Sequence, residues 1–289
     1  MSAQHLSKLD SGLEVLYPGS GEEPLTGLYL CEDLRASIPR AGTYIYTNFI
    51  SSLDGRIALE SSETGQLEVP QNTTNIRDWR LFLELAAPAD AVIVSGSYLN
   101  ALADDPSSAG PPFSGEAPPD LIEFRQALGL ERQPALVVVT RSLKVPVEAL
   151  VRLAGRRVIL ATVIEAPEPA AEDLRTAGIE VLRLGPKSVD AGRLAAALAE
   201  RGMGLVYSIA GPAVLHMLLS ARVLQRIYLT TVLRILAGEA YASLAQGSVL
   251  DPPYDFRLAA LYLDRHGPDG VEQLLQVYDR REAAPTESP

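Results

Sequence analysis

One cysteine, Cys31, in 289 residues leaves no intramolecular disulfide and no cysteine-rich zinc site. The three histidines, His5, His216 and His266, are far apart, so a metal-dependent mechanism has little support and no metal is expected. Lys and Arg number 25 against 36 acidic residues, a formal charge of −11, so no broad basic face is expected for a nucleic-acid partner, and an anionic ligand needs a local pocket. No apolar run approaches the ~20 residues that span a bilayer. The opening MSAQHLSKLD has neither the basic nor the apolar region of a secretory signal, so the expected compartment is the cytoplasm, without a membrane. G-x-G-x-x-G, Walker and G-x-S-x-G patterns are also missing, which weighs against an ordinary Rossmann protein, a nucleoside triphosphatase and a nucleophile-elbow hydrolase.

What is present is a chain with 47% hydrophobic and 21% charged residues, enough to bury a sizeable core. Residues 1–40 hold short apolar pieces broken by Gly, Pro and acidic residues, and read as a loosely structured extension without chemistry. Residues 41–282 read as one domain, and 283–289 (APTESP at its end) as a disordered tail. Strand candidates YIYTNFIS, AVIVS, ALVVVT, RRVILAT, IEVLRL and LVYSIA alternate with helix candidates such as NIRDWRLFLELAA, with Ile76, Leu81, Leu83 and Leu85 toward the core, and DAGRLAAALAERG, with Asp190 as N-cap. The segment ALADDPSSAGPPFSGEAPPD reads as a long surface loop. RLAALYLDRHGPDGVEQLLQVYDR reads as an antiparallel pair. The expected fold class is α/β, a mostly parallel central sheet with helices on both faces and an antiparallel C-terminal edge.

In such sheets ligands bind beyond the strand carboxyl ends. Three of these ends carry suitable residues: Ser95, Gly96 and Ser97; Thr140, Arg141 and Ser142, a hydroxyl and guanidinium set suited to a phosphate; and Ala210, Gly211 and Pro212 at a helix mouth. Each is a common turn or helix start taken singly. A groove crossing the sheet is suggested by their recurrence. His216 in VLHMLL reads as a packed helix residue, Trp79 as structural or as a pocket wall, and the Asp104-Asp105 pair as solvated or as an acid/base candidate.

The order NFISSLDGRIA, DAVIVSGSYLNALADDP, PALVVVTRS, LVYSIAGPAVLHMLL and LQRIYLTTVLRILAG resembles the dihydrofolate-reductase-like riboflavin-biosynthesis pyrimidine reductases, the C-terminal domain of the bifunctional deaminase-reductase, over roughly residues 44–280. The resemblance implies an NADPH-dependent reductase, generally dimeric, that converts the ribose of a 5-amino-6-(phosphoribosylamino)uracil to ribitol. It implies that Ser95, Gly96, Ser97 and Ala210, Gly211, Pro212 cradle the cofactor pyrophosphate, and that Thr140, Arg141 and Ser142 face the adenosine 2′-phosphate. Asn48, Ser51 and Ser52 would line a small heterocyclic substrate, with Asp54 at the reacting centre as the catalytic residue and Asp104 in a covering loop.

The chain departs from the family pattern in several places. Asn48 stands where the bacterial pattern has Lys, as in the archaeal form; Ile209-Ala210-Gly211 replaces Glu-Gly-Gly; Gln225-Arg226 replaces Asp-Glu; and Leu233 replaces Pro. Arg77 and Arg80 are the candidates to hold a ribose phosphate, and no zinc-binding deaminase set is present. A diverged substrate, a silent ligand-binding protein on the same fold and a pterin or dihydrofolate reductase are the alternatives.

Overall fold

The structure is a computed structural model that describes residues 9–281 except 105–109, 116, 147–148, 150–152 and 154. Asp105 and the expected tail at 283–289 lie outside the described residues. The apolar runs form the strands β3 (Tyr44–Ser52), β6 (Ala91–Ser95), β7 (Ala135–Val139), β8 (Val158–Thr162), β9 (Glu180–Arg183), β10 (Leu205–Ser208) and β11 (Leu224–Val232), which are parallel to one another in the order β11-β3-β10-β6-β7-β8-β9. The first four residues of both β6 and β7 are buried, as expected of strands covered on both faces. On the β11 side the sheet turns antiparallel through β14 (Gln273–Arg280) and β13 (Phe256–Asp264), the pair expected around His-Gly-Pro-Asp-Gly.

Helices α1 (Ile76–Ala86), α2 (Gly96–Asp104), α3 (Pro119–Ala127) and α4 (Glu168–Thr176) cover one face, where Leu81, Leu83, Leu85, Leu99, Leu121 and Leu174 share one buried cluster with Tyr46, Tyr207 and Tyr228 of the sheet. Helices α5 (Ala191–Ala199) and α6 (Pro212–Ser220) cover the other through Leu194, Leu198, Val214 and Leu218. Asp190 caps α5 by accepting the Arg193 N–H at 2.9 Å. A small sheet of β12 (Tyr241–Ala242), β4 (Ala58–Glu60) and β5 (Leu67–Glu68) lies beyond the carboxyl end of β3. The class is α/β, with a mostly parallel central sheet, helices on both faces and an antiparallel edge, as expected.

Three expectations change. Residues 13–23 are part of the fold, since β1 (Leu13–Tyr17) pairs antiparallel with β13 and β2 (Gly21–Glu23) with β1, making an eleven-stranded sheet. The segment expected to be all loop begins as helix, because Gly96 starts α2 directly at the end of β6 and the helix runs to Asp104. The buried face of α1 is also not the apolar stripe alone: Ile76 is only partly buried, whereas Arg77, Arg80 and Glu84 are buried. Glu84 accepts the Gly27 and Tyr29 backbone N–H groups at 2.6 and 3.2 Å and pairs with Arg80 at 2.7 Å, so the N-terminal segment is tied to α1 by charged groups removed from water.

Candidate active site

β10 is short. Its last residue, Ser208, pairs with Thr47 of β3 and Ile93 of β6. Beyond that point β3 runs on beside β11 to Ser52, and β6 runs on beside β7 to Ser95. The sheet therefore divides past Ser208, leaving a notch where the crossover helices change from one face to the other. A switch point of this kind, outside the strand carboxyl ends, is where open α/β sheets place ligands.

The three small-residue strand ends belong to β10, β6 and β7, which are neighbours in the sheet, so they lie side by side along one wall of this region. Ser95 and Ser97 are joined hydroxyl to hydroxyl at 2.8 Å, at the first turn of α2. A Cβ on Gly96 would lie 3.0 Å from Thr140 Oγ1 and 3.1 Å from Thr140 Cβ, so these two loops touch through a contact that only glycine makes without displacement. Thr140 is buried, while Arg141 and Ser142 are exposed at the turn that follows, and Arg141 has no ion-pair partner among the described residues. Ala210 is buried and Gly211 is exposed as the N-cap of α6. No atom lies within 4 Å of a Cβ built on Gly211, so the chain leaves open space before the helix mouth. Ile209 packs its partly buried side chain against the α1 side of the core, so this wall has no carboxylate at that position.

On the opposite wall, β3 holds Asn48, whose Oδ1 accepts the Tyr207 hydroxyl at 2.5 Å. Tyr207 is wholly buried, stacked on Tyr46 at 5.1 Å, and burial holds its hydroxyl well above the ordinary range, so it stays protonated. Phe82 tilts onto Tyr207 at 5.9 Å and Trp79, 40% exposed, stacks on Phe82 at 5.0 Å, so Trp79 is the outer member of an aromatic row that reaches the sheet.

The remaining residues expected here have other places. Ser51 and Ser52 are buried, and the Ser52 hydroxyl bonds Asp54 Oδ1 at 2.6 Å and accepts the Arg56 N–H at 3.0 Å. Asp54 accepts the backbone N–H groups of Leu236 and Ala237 at 3.2 and 2.9 Å. The Ser52 hydroxyl and these amides hold its carboxyl down at about 2, so it is an ionised loop clamp and not a proton donor. Arg77 points into the interior, where Nε meets Asp264 at 2.8 Å and Nη1 meets the Ser11 carbonyl at 3.0 Å; at 1% exposure it lies away from the groove. Arg80 is likewise committed to Glu84 and Asp120, at 2.7 and 2.5 Å. Asp104 is the exposed last residue of α2. His216 Nε2 lies 2.7 Å from the Ser248 carbonyl and packs as expected.

One residue has no counterpart in the sequence reading. Asp78, in the first turn of α1, is partly buried between Thr230 of β11, at 3.5 Å, and the Tyr207 and Tyr29 side. No cation pairs with it among the described residues; burial pushes its carboxyl up to about 7, against the opposing effect of the Thr230 hydroxyl. An acid after an N-cap ordinarily serves the helix dipole, so the motif NIRDWR gave no signal of this.

A separate cleft of about 630 Å³, lined by Tyr44, Gln225, Arg226, Arg257 and Asp279 among others, opens at the amino ends of β3 and β11, remote from the notch. Arg226 is tied there to Glu32 and Asp279, and Arg257 to Asp279.

Residues 43–262 match the family described as the RibD C-terminal domain. A 2,5-diamino-6-ribosylamino-4(3H)-pyrimidinone 5′-phosphate reductase of Archaeoglobus fulgidus is 27% identical over 184 residues, covering 64% of this chain and 77% of that protein. The fold is shared with a pyrimidine reductase-like protein from Corynebacterium diphtheriae (TM-score 0.62, 19% identity, 83% of this chain and 93% of that one). It is also shared with the deaminase/5-amino-6-(5-phosphoribosylamino)uracil reductase of Thermotoga maritima (TM-score 0.52, 18% identity, 88% of this chain and 60% of that one). With the match spanning most of the chain and the notch in place, the protein belongs to the RibD C-terminal domain family of riboflavin-biosynthesis pyrimidine reductases.

Proposed function

We propose that the chain is an NADPH-dependent reductase of a phosphoribosylaminopyrimidine, acting at the notch beyond Ser208. The observation that carries this reading is the alignment of the Ser95–Ser97, Thr140–Ser142 and Ala210–Pro212 ends on adjacent strands. The fit to a dinucleotide rests on the open space at Gly211, the bare backbone at Gly96 and the exposed guanidinium of Arg141, which has no ion-pair partner among the described residues. Ser95, Gly96, Ser97 and the α6 mouth would hold the pyrophosphate, and Thr140, Arg141 and Ser142 the 2′-phosphate. When bound, NADPH supplies the hydride that turns the ribosyl group into a ribityl group. The chain's own part is to orient the two reactants, with Trp79 and Phe82 excluding water and Asn48, braced by Tyr207, presenting its amide to the substrate. Asp104 would border the covering loop, and Asp54 would act through the loops it joins.

Titration with NADPH and NADH, followed by turnover of the pyrimidine substrate, tests the reading. NADPH is expected to bind more tightly by about tenfold or more through charge-assisted bonds at Arg141, and Arg141→Ala should erase that preference without changing Tm. Absence of binding by either nucleotide overturns it. A silent ligand-binding protein is favoured by one feature, the apolar Ile209 in that wall, and failure to complement a riboflavin auxotroph lacking the reductase would support it. A cytoplasmic homodimer belongs to the same proposal, checked by sedimentation; no helix among the described residues is long and apolar enough to cross a membrane.

A further inference from the structure

The fully buried carboxylates among the described residues are matched. Glu84 has two backbone donors and Arg80, and Asp264 has Arg77, Gln273 and the His266 N–H. Asp78 is different. Among the described residues it has only the long contact to Thr230, while its helix neighbours Arg77 and Arg80 turn away to Asp264 and to Glu84 and Asp120. Tyr207, whose hydroxyl group feels the Asp78 charge, gives its proton to Asn48 instead. A partly buried carboxyl whose one hydrogen bond among the described residues is the long contact to Thr230, on the sheet face that holds Asn48, Tyr207 and Thr230, is placed to receive donors from a ligand.

The reductases similar to this chain act on two rings that differ at one carbon. The Archaeoglobus substrate is a 2-amino-4(3H)-pyrimidinone and the Thermotoga one a uracil. The first offers N3–H and the 2-amino group as parallel donors, the pattern with which a guanidinium grips a carboxylate. The second offers N3–H flanked by carbonyl oxygens, one of which would face a carboxylate oxygen across a site with little water. Resting on the reductase reading, the geometry points to Asp78 as the residue that reads the C2 edge and selects a 2-aminopyrimidin-4(3H)-one over a uracil. Thr230 supports it by holding Oδ1, leaving Oδ2 and the second lone pair of Oδ1 for the ring. Ligand donors would also draw the carboxyl, pushed up to about 7 in the free protein, back to its ionised form.

The test uses the full chain, with 2,5-diamino-6-ribosylamino-4(3H)-pyrimidinone 5′-phosphate and 5-amino-6-(5-phosphoribosylamino)uracil as the probes. Binding of each is measured by calorimetry and kcat/KM with NADPH. The parent protein should favour the 2-amino compound by about tenfold or more, the worth of a bidentate pair. Asp78→Asn should bring the ratio to one or below, because an amide matches the acceptor and donor of the uracil edge. Asp78→Ala, a second variant against misfolding of the first, should weaken the 2-amino compound alone. NADPH affinity should be unchanged in both. Indifference of the parent protein, a preference for uracil, or a ratio unmoved by either variant overturns the assignment and leaves the reductase reading standing. Failure of the parent protein to bind or reduce either compound removes the reductase reading and this assignment with it.

Discussion

The Asp54 carboxylate accepts the Ala237 N–H at 2.9 Å and the Leu236 N–H at 3.2 Å, stitching the turn after β3 to the chain that follows β11. Gly55, at φ +77°, makes the turn that brings the carboxylate there. Replacing Asp54 by Asn should raise KM and lower Tm, yet leave the shape of the pH–activity profile between pH 5 and 9 unchanged, since the carboxyl is already ionised throughout. Its lowered value means the clamp contributes above the unfolded carboxylate range, about 3.9, and is lost as pH falls through about 2. Melting curves from pH 2 to 6 for both proteins check this; a new ionisation near neutral pH in the variant's activity would contradict the clamp.

Gly96 and Gly211 separate packing from ligand space. Gly96→Ala must displace Thr140 from 3.0 Å and is expected to cost about 1–3 kcal/mol as well as cofactor affinity. Gly211→Ala meets no protein atom within 4 Å, so Tm should hold while NADPH binding weakens. Undiminished affinity in a folded Gly211→Ala protein would remove the pyrophosphate from this helix mouth.

Arg77 and Asp264, 1% and 0% exposed, form a buried pair. Breaking it with Arg77→Ala should destabilise the fold by about 3–5 kcal/mol, as for other buried charges left alone. Any protein that remains folded should keep its KM. Denaturant unfolding and steady-state kinetics on one preparation distinguish this from a phosphate-binding role, which would raise KM at unchanged stability.

Asp78 has the opposite pH signature to Asp54. Its carboxyl is raised to about 7 in the folded chain, so between the unfolded value of about 3.9 and 7 the folded state holds a proton that the unfolded state has released. Stability from this group therefore falls as pH rises through that window. Asp78→Asn should be more stable than the parent protein at pH 8 and lose the advantage near pH 4, read as the difference in Tm.

Much of this was legible in the sequence because it is local. Runs such as AVIVS and ALVVV announce buried parallel strands, Asp190 announces a helix start, and the small residues at three strand ends turn out to lie on neighbouring strands. What was not legible depends on partners far along the chain. LEVLY becomes a strand by pairing with β13, some 240 residues away in register with Leu261 to Leu263. Arg77 reads as a candidate to hold a ribose phosphate because nothing nearby in sequence reveals Asp264. Asp78 drew no reading, because its setting is made by Thr230 and Tyr207, from two separate strands. Asp54 sat in the most recognisable motif, and its loop partners at 236 and 237 carry no motif at all.

The stretch held in common with the family runs from residue 43 to 262, yet the fold does not begin or end there. Glu32 pairs with Arg226 and Tyr228, the backbone at Gly27 and Tyr29 satisfies Glu84, and β14, which runs to Arg280, carries the register of both β11 and β13. A gene fragment cut to the shared stretch would take from Glu84 both of its backbone donors and uncover two sheet edges, inviting chain-to-chain pairing. The portion inherited by likeness is thus shorter than the portion that must be synthesised for any of it to stand.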